Sequence, residues 1–189
     1  NVRAPDLLNK EEEINFFKKL NPDVVVVVAY GKIIPSQILD LKNIKFLNIH
    51  ASLLPKWRGA APIQRAIMEG DDETGISIMQ IISELDAGPY MLQEKIKIDK
   101  KDNYISLSKK LCNLGSKLIL KSLKLIEQNN YKFVEQNKKN ITYAKKINKK
   151  ESEIDWSLSA SNIIAKINGL NPYPGVWFIH KGARFKIIE

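Results

Sequence analysis

Cysteine occurs once in the 189 residues, at Cys112, so no disulfide can form within the chain, and a small buried hydrophobe on a helix in a reducing compartment is the expected role. Histidine occurs twice, at His50 and His180, and with one cysteine these offer no ligand cluster of zinc spacing, so no metal is expected. Long apolar runs are also missing. The longest, Val24 to Tyr30, falls far short of the roughly 20 residues that a spanning helix needs, so no membrane association is expected, and the single cysteine fits a cytoplasmic setting. No Gly-x-Gly-x-x-Gly run or phosphate loop occurs, which removes the common dinucleotide and nucleotide signatures. Arginine is scarce: four of the 30 basic residues are Arg, and 16 Asn accompany them. A general Lys/Asn/Ile bias therefore accounts for much of the +9 net charge, and the position of the lysines says more about a polyanionic partner than their total.

What is present reads as alternating helices and strands. Residues 9–20 have Ile14, Phe17 and Leu20 on one face, with Asn9 as the expected cap and Glu12 completing a capping box. The run Val24-Val25-Val26-Val27-Val28-Ala29 is β-branched without alternation, as in a central parallel strand covered on both faces. A short helix after Pro35 and a strand over 44–49 follow, which predicts a doubly wound α/β sheet of Rossmann-like type. Its first βαβ part is expected to be missing, because the first element is a helix with no strand before it. Pro62 opens a helix through Ile67, and Asp71-Asp72-Glu73 marks a surface turn. The strand over 76–81 should pair antiparallel with the strand over 90–98. A long helix capped by Asp102 or Ser106 carries Leu107, Leu111, Leu114 and Leu118.

The stretch most suggestive of chemistry is Asn48-Ile49-His50-Ala51-Ser52-Leu53-Leu54-Pro55-Lys56-Trp57-Arg58-Gly59. Residues two apart in a strand project to the same side, so Asn48 and His50 share a face while Ile49 enters the packing. A loop leaving the carboxyl end of a buried strand is where open α/β sheets place ligands. A second loop, Glu84-Leu85-Asp86-Ala87-Gly88-Pro89, supplies a carboxylate able to orient an imidazole and stabilise its charged form.

The run Asn-Ile-His-x-Ser-Leu-Leu-Pro-x-x-Arg-Gly, followed 36 positions after the His by Leu-Asp-x-Gly-Pro, resembles the 10-formyltetrahydrofolate-dependent formyltransferases. The longer run Ser52 to Ile67 is similar to those members that act on methionyl-tRNA. The likeness continues through Val27 to Gly31, Tyr143-Ala144-Lys145-Lys146 and Ile154-Asp155-Trp156-Ser157, so it covers nearly the whole chain. It implies formyl transfer from 10-formyltetrahydrofolate to the α-amino group of a charged initiator tRNA. Asn48 and a protonated His50 would donate to the developing oxyanion, and Asp86 would support the imidazolium and move the amine proton through water. It further implies a folate cleft lined by Tyr30, Gly31, Ile33, Ser52, Leu53, Leu54, Pro55, Leu85 and Gly88. The close approach of a flat heterocycle is expected at Gly31 and Gly88. For tRNA, Arg58 and the lysine pairs Lys145-Lys146 and Lys149-Lys150 are the expected contacts, and a monomer is expected.

The expected division is a catalytic domain over 1–129, a basic linker over 130–149 rich in Asn, Gln and Lys, and the beginning of a carboxy-terminal OB-like β-barrel over 150–189. A helix over 159–170 and a hairpin over 175–189 would open that barrel, with His180 at the surface. Two readings compete. One is a superfamily relative acting on glycinamide ribonucleotide or a nucleotide-linked amino sugar, which would keep the same three residues. The other is a non-catalytic folate- or RNA-binding module.

Overall fold

The computed structural model of the protein describes residues 2–187; Asn1, Ile188 and Glu189 lie outside the described residues, and with them the last two positions expected of the final hairpin. The chain forms α1 (Glu11–Leu20), β1 (Val24–Val27), α2 (Ser36–Leu39), β2 (Lys45–His50), β3 (Arg58–Gly59) and α3 (Pro62–Met68), then β4 (Glu73–Gln80), β5 (Tyr90–Lys97) and α4 (Tyr104–Glu127). After these come β6 (Tyr143–Ala144), α5 (Ala160–Leu170), β7 (Val176–His180) and β8 (Ala183–Ile187).

The main sheet is mixed, in the order β1-β2-β4-β5. β1 and β2 are parallel, with Val27 opposite Asn48, and both other pairs are antiparallel. β1, read as a central strand of a sheet lacking its first βαβ part, is the outermost strand of this sheet among the described residues, with Val26 39% exposed. Unalternated valines report that both faces of a strand tend to be covered; they carry no information about whether both edges are paired.

Helix starts differ from expectation in two places. α1 is entered from Lys10 without any side-chain cap, because Asn9 lies one residue too far back; Glu11, Glu12 and Glu13 in its first turn oppose the helix dipole instead, and Arg3 pairs with the last two. α4 is capped by Asn103 in a box with Ser106, whereas the expected Asp102 accepts from Ser106 Oγ and pairs with Lys110. The heptad-like leucines do pack as expected: Leu107, Leu111 and Leu118 of α4 meet Leu47, Ile76 and Ile78 of the sheet, with Ile67 of α3. Cys112 of the same helix is exposed, not buried.

The segment after α4 is no free linker. Val134 makes a reciprocal backbone pair with Tyr90, and β6 lies parallel to β3, with Arg58 opposite Tyr143. Composition dominated by Asn, Gln and Lys hid this, because the segment holds itself by backbone bonds and single buried side chains without a periodic apolar face. Beyond it, α5 packs on α3, and Ile154, Leu170 and Val176 form a second small core against which Met68 of α3 rests. β7 and β8 pair antiparallel as the expected hairpin, with Phe178 opposite Phe185, and His180 is exposed.

Candidate active site

β2 delivers Asn48 and His50 side by side on one face at its carboxyl end. β4 runs antiparallel to β2, so its exit lies beside Phe46, and the connection over 81–89 must fold back along the sheet to bring Asp86 to the other end of β2. Asp86 arrives with a left-handed φ of 46°, a conformation that Asp tolerates better than most residues but that still needs external support. The support is visible. Asp86 Oδ2 accepts from the Gly59 amide at 2.9 Å and lies 3.7 Å from His50 Nδ1, and Oδ1 accepts from Asn48 Nδ2 at 3.4 Å. Residues 38 apart in sequence thus share one small polar centre.

His50 is 5% exposed. Its Nε2 lies 2.9 Å from the Trp57 carbonyl, which can only accept, so this nitrogen carries a proton and donates. Nδ1 is therefore the nitrogen that gains or loses a proton, and it faces the Asp86 carboxylate. Burial lowers the imidazole below its ordinary value; the Asp86 charge and the bond to Trp57 oppose that shift without reversing it. Desolvation thus outweighs the single carboxylate partner, opposite in direction to what the expected imidazolium needs.

The expected folate residues divide into two groups. Tyr30, Gly31, Ile33 and Leu85 are open, with Tyr30 and Leu85 presenting apolar surface and Ile33 91% exposed. A Cβ added at Gly31 would meet nothing, so the main chain there is free to be approached. Ser52 and Leu54, by contrast, are buried, and their part is structural. Ser77 Oγ donates to the Ser52 carbonyl and accepts from the Leu54 amide, and Gln93 Nε2 donates to the Leu54 carbonyl, which fixes the Ser52-Leu53-Leu54-Pro55 corner. Leu53 fits against Gly75, and Pro55 is half-buried. Gly88 is also buried, and a Cβ there would stand 1.9 Å from the Gln80 carbonyl oxygen, so this glycine serves loop packing and not the approach of a ligand.

Of the expected tRNA contacts, Lys145, Lys146, Lys149 and Lys150 are exposed, and Lys145 and Lys146 line a shallow cleft with Trp57, Arg65, Glu69, Tyr143 and Glu151. Arg58 is not available to a phosphate. It is 4% exposed, its Nε donates to Gln136 Oε1 at 3.0 Å, and its Nη1 reaches Glu84 at 3.3 Å. An Arg beside a Trp in a loop reads as a surface residue, but here two polar partners allow its burial.

Sequence reasoning missed the residues that build the walls of the centre. Trp57 supplies the carbonyl to His50, and its amide donates to Thr142 Oγ1 while its indole donates to Asp71. Asp71 also binds Lys56, so the expected surface turn clamps the loop after β2. Gly59 supplies an amide to Asp86 at a φ of 119°, where a Cβ would approach the Ala144 carbonyl at 2.8 Å. Gln136 holds the Asp86 loop from outside. Trp57 and Gly59 lie within the motif already singled out; Gln136 carries no signal in its own surroundings. Among the described residues no three His, Cys, Asp or Glu side chains gather as a metal site.

The geometry suits stabilisation of an oxyanion beside a proton acceptor, since an amide N–H and an imidazole adjoin a carboxylate. The comparisons with known proteins agree in kind. A family model described as "Formyl transferase" matches residues 3–123, and a second, "Formyl transferase, C-terminal domain", matches residues 146–189. A methionyl-tRNA formyltransferase of Pelagibacter ubique is 50% identical over 99% of this chain and 61% of its own length. One from Caldicellulosiruptor saccharolyticus is 48% identical over all of this chain and 60% of its own length, so the chain spans about three-fifths of the curated relatives it matches. Among solved structures, a methionyl-tRNA formyltransferase from Clostridium thermocellum overlays with a TM-score of 0.73 at 20% identity, covering 96% of this chain and 78% of that one. HypX from Aquifex aeolicus, solved with tetrahydrofolic acid, overlays at 0.79 and 18% identity, covering 93% and 30%. The polar centre at the end of β2, its fold and the two matched segments lead to one conclusion: this chain belongs to the formyl transferase family.

Proposed function

We propose that the whole protein transfers the formyl group of 10-formyltetrahydrofolate to the α-amino group of methionyl-initiator-tRNA in the cytoplasm, and that Asn48, His50 and Asp86 carry the reaction. The observation that supports the chemistry is their convergence, with both Asp86 oxygens engaged and His50 Nδ1 turned toward the carboxylate. Identity of 48–50% over nearly all of this chain to relatives named for methionyl-tRNA supports that acceptor.

Attack of a neutral amine on the formyl carbon creates a tetrahedral oxyanion and then releases the folate nitrogen. Asn48 Nδ2 donates to that oxyanion. With Nε2 committed to Trp57, His50 takes up at Nδ1 the proton that the attacking amine loses, relayed through water past Asp86, which stabilises the resulting imidazolium. The same proton then passes to the folate nitrogen as it leaves. Tyr30, Ile33 and Leu85 offer exposed apolar surface for the flat ring of the donor, with the open backbone at Gly31 beside them. Residues 1–129 act as the catalytic unit. Residues 130–149 join it to the tRNA-facing unit over 150–189, and the exposed Lys145, Lys146, Lys149 and Lys150 meet the tRNA backbone.

The test is a formylation assay of the whole protein with charged initiator tRNA and 10-formyltetrahydrofolate. His50→Gln and Asp86→Asn should each lower kcat by roughly 10²- to 10⁴-fold while the KM for tRNA changes little. Formylation of an amino-sugar nucleotide with none of methionyl-tRNA would overturn the acceptor. Unchanged kcat in both variants would overturn the site.

A further inference from the structure

Gln136 sits in the segment between the two units and is 7% exposed. Its side chain uses every polar position it has. Nε2 donates to the Asp86 carbonyl at 2.8 Å and to the Gly88 carbonyl at 2.7 Å, and Oε1 accepts from Arg58 Nε at 3.0 Å. An arginine only donates and carbonyls only accept, so the amide can face one way alone. The buried Arg58 thus orients Gln136, and Gln136 grips the two carbonyls that flank Ala87 in the tightest part of the loop. That loop holds Asp86 in a left-handed conformation, which persists only where surrounding groups over-determine it.

The gripping segment is itself tied at both sides of the centre. Just before Gln136, Val134 pairs with Tyr90 at the base of the Asp86 loop, with N···O distances of 2.8 and 3.0 Å. Just after it, Thr142 accepts from the Trp57 amide through Oγ1 and from the Arg58 amide through its carbonyl, both at 2.9 Å. The Trp57 carbonyl in turn fixes His50. One strap therefore spans the two loops whose relative position sets the His50 to Asp86 distance.

We propose that Gln136 is a positioning residue for the reaction, holding the Asp86 carboxylate against Asn48 and His50 from a segment outside the catalytic unit. The proposal rests on the functional reading above for its kinetic consequences but not for its geometric one. A displaced loop misplaces the carboxylate, and a misplacement near 1 Å costs up to about 100-fold in rate.

In the whole protein, Gln136→Ala should lower kcat by about 10- to 100-fold, with the KM for tRNA and for the folate donor within about twofold of wild type. Gln136→Glu keeps the acceptor for Arg58 but loses both donors, so it should be no better than the alanine variant. Gln136→Met preserves volume in case the alanine variant folds poorly, and it should show the same kcat loss when assayed well below its own thermal midpoint. The decisive arm is a double-mutant cycle. In an Asp86→Asn background, Gln136→Ala should remove less than a further twofold, because the group it positions is already gone. A residue that merely stabilises the fold would give the same factor in both backgrounds, and that result overturns the proposal, as does an unchanged kcat in both apolar variants.

A readout without any substrate separates this from the functional reading. The His50 ring signal, assigned by its loss in His50→Gln, should titrate at lower pH in Gln136→Met than in wild type, because the carboxylate facing Nδ1 moves away. An unchanged titration overturns the positioning role even if formylation is measured. A shifted titration in a protein that fails to formylate methionyl-tRNA sustains the positioning role and removes only the proposed acceptor.

Discussion

At the scale of the residue, the centre shows burial lowering an imidazole against the sign that its carboxylate partner alone suggests. The folded chain holds His50 below the ordinary imidazole value of about 6.5, so below that pH the unfolded chain binds more protons than the folded one. Stability should be at its full value above about pH 6.5 and should fall as pH drops from there toward the folded value. Urea midpoints measured between about pH 5 and 7 should slope for the wild type and be flatter for His50→Gln. Gly88 makes a second prediction: a methyl placed 1.9 Å from the Gln80 carbonyl forces the loop to move, so Gly88→Ala should cost about 1–3 kcal/mol in urea unfolding. Asn48 and His50 were legible as a same-face pair because a strand has period two. Asp86 was legible as a carboxylate in a loop after an apolar strand, but its meeting with His50 was not, since nothing local announces that a loop will fold back along its sheet. Arg58 was misread because sequence gives no sign of the two partners that bury it, and Gln136 was invisible because one Gln among Asn, Gln and Lys has no periodicity to betray it.

At the scale of the element, types were legible wherever apolar spacing was regular, as in α4, the β4–β5 pair and the β7–β8 hairpin. Ends and edges were not, because they depend on single hydrogen bonds and on what lies alongside. The cap of α4 illustrates this: Asp102, Asn103 and Ser106 are all capable residues, and the backbone angle at residue 103 selects the middle one. Asn103→Ala removes the acceptor for the Ser106 amide and should cost about 1 kcal/mol in thermal unfolding, whereas Asp102→Asn should act mainly through the lost pairing with Lys110. β3 and β6 are two residues each and carry no pattern at all; they exist because the strap and the loop after β2 need each other's backbone partners.

At the scale of the whole molecule, α3 packs on α5 and makes a forked contact in which Arg65 donates to both Glu151 carboxylate oxygens and to the Lys145 carbonyl. Arg65→Ala should leave the main sheet protected in hydrogen exchange while residues 145–151 exchange faster; equal protection would mean that the α3–α5 packing suffices. Replacing Lys145, Lys146, Lys149 and Lys150 by Gln should raise the KM for tRNA and flatten its dependence on salt, because each lost phosphate contact releases fewer condensed counterions, and kcat should hardly change. The strap also gives the site an order in time. Gln136 lies 50 residues beyond the carbonyl of Asp86 that it binds. At about 5–20 residues per second of synthesis, roughly three to ten seconds separate the two on a growing chain. The sheet and α4 are therefore made before the strap that holds Asp86 in place, and a nascent chain halted between α4 and Gln136 should fold its core yet present an unfinished centre.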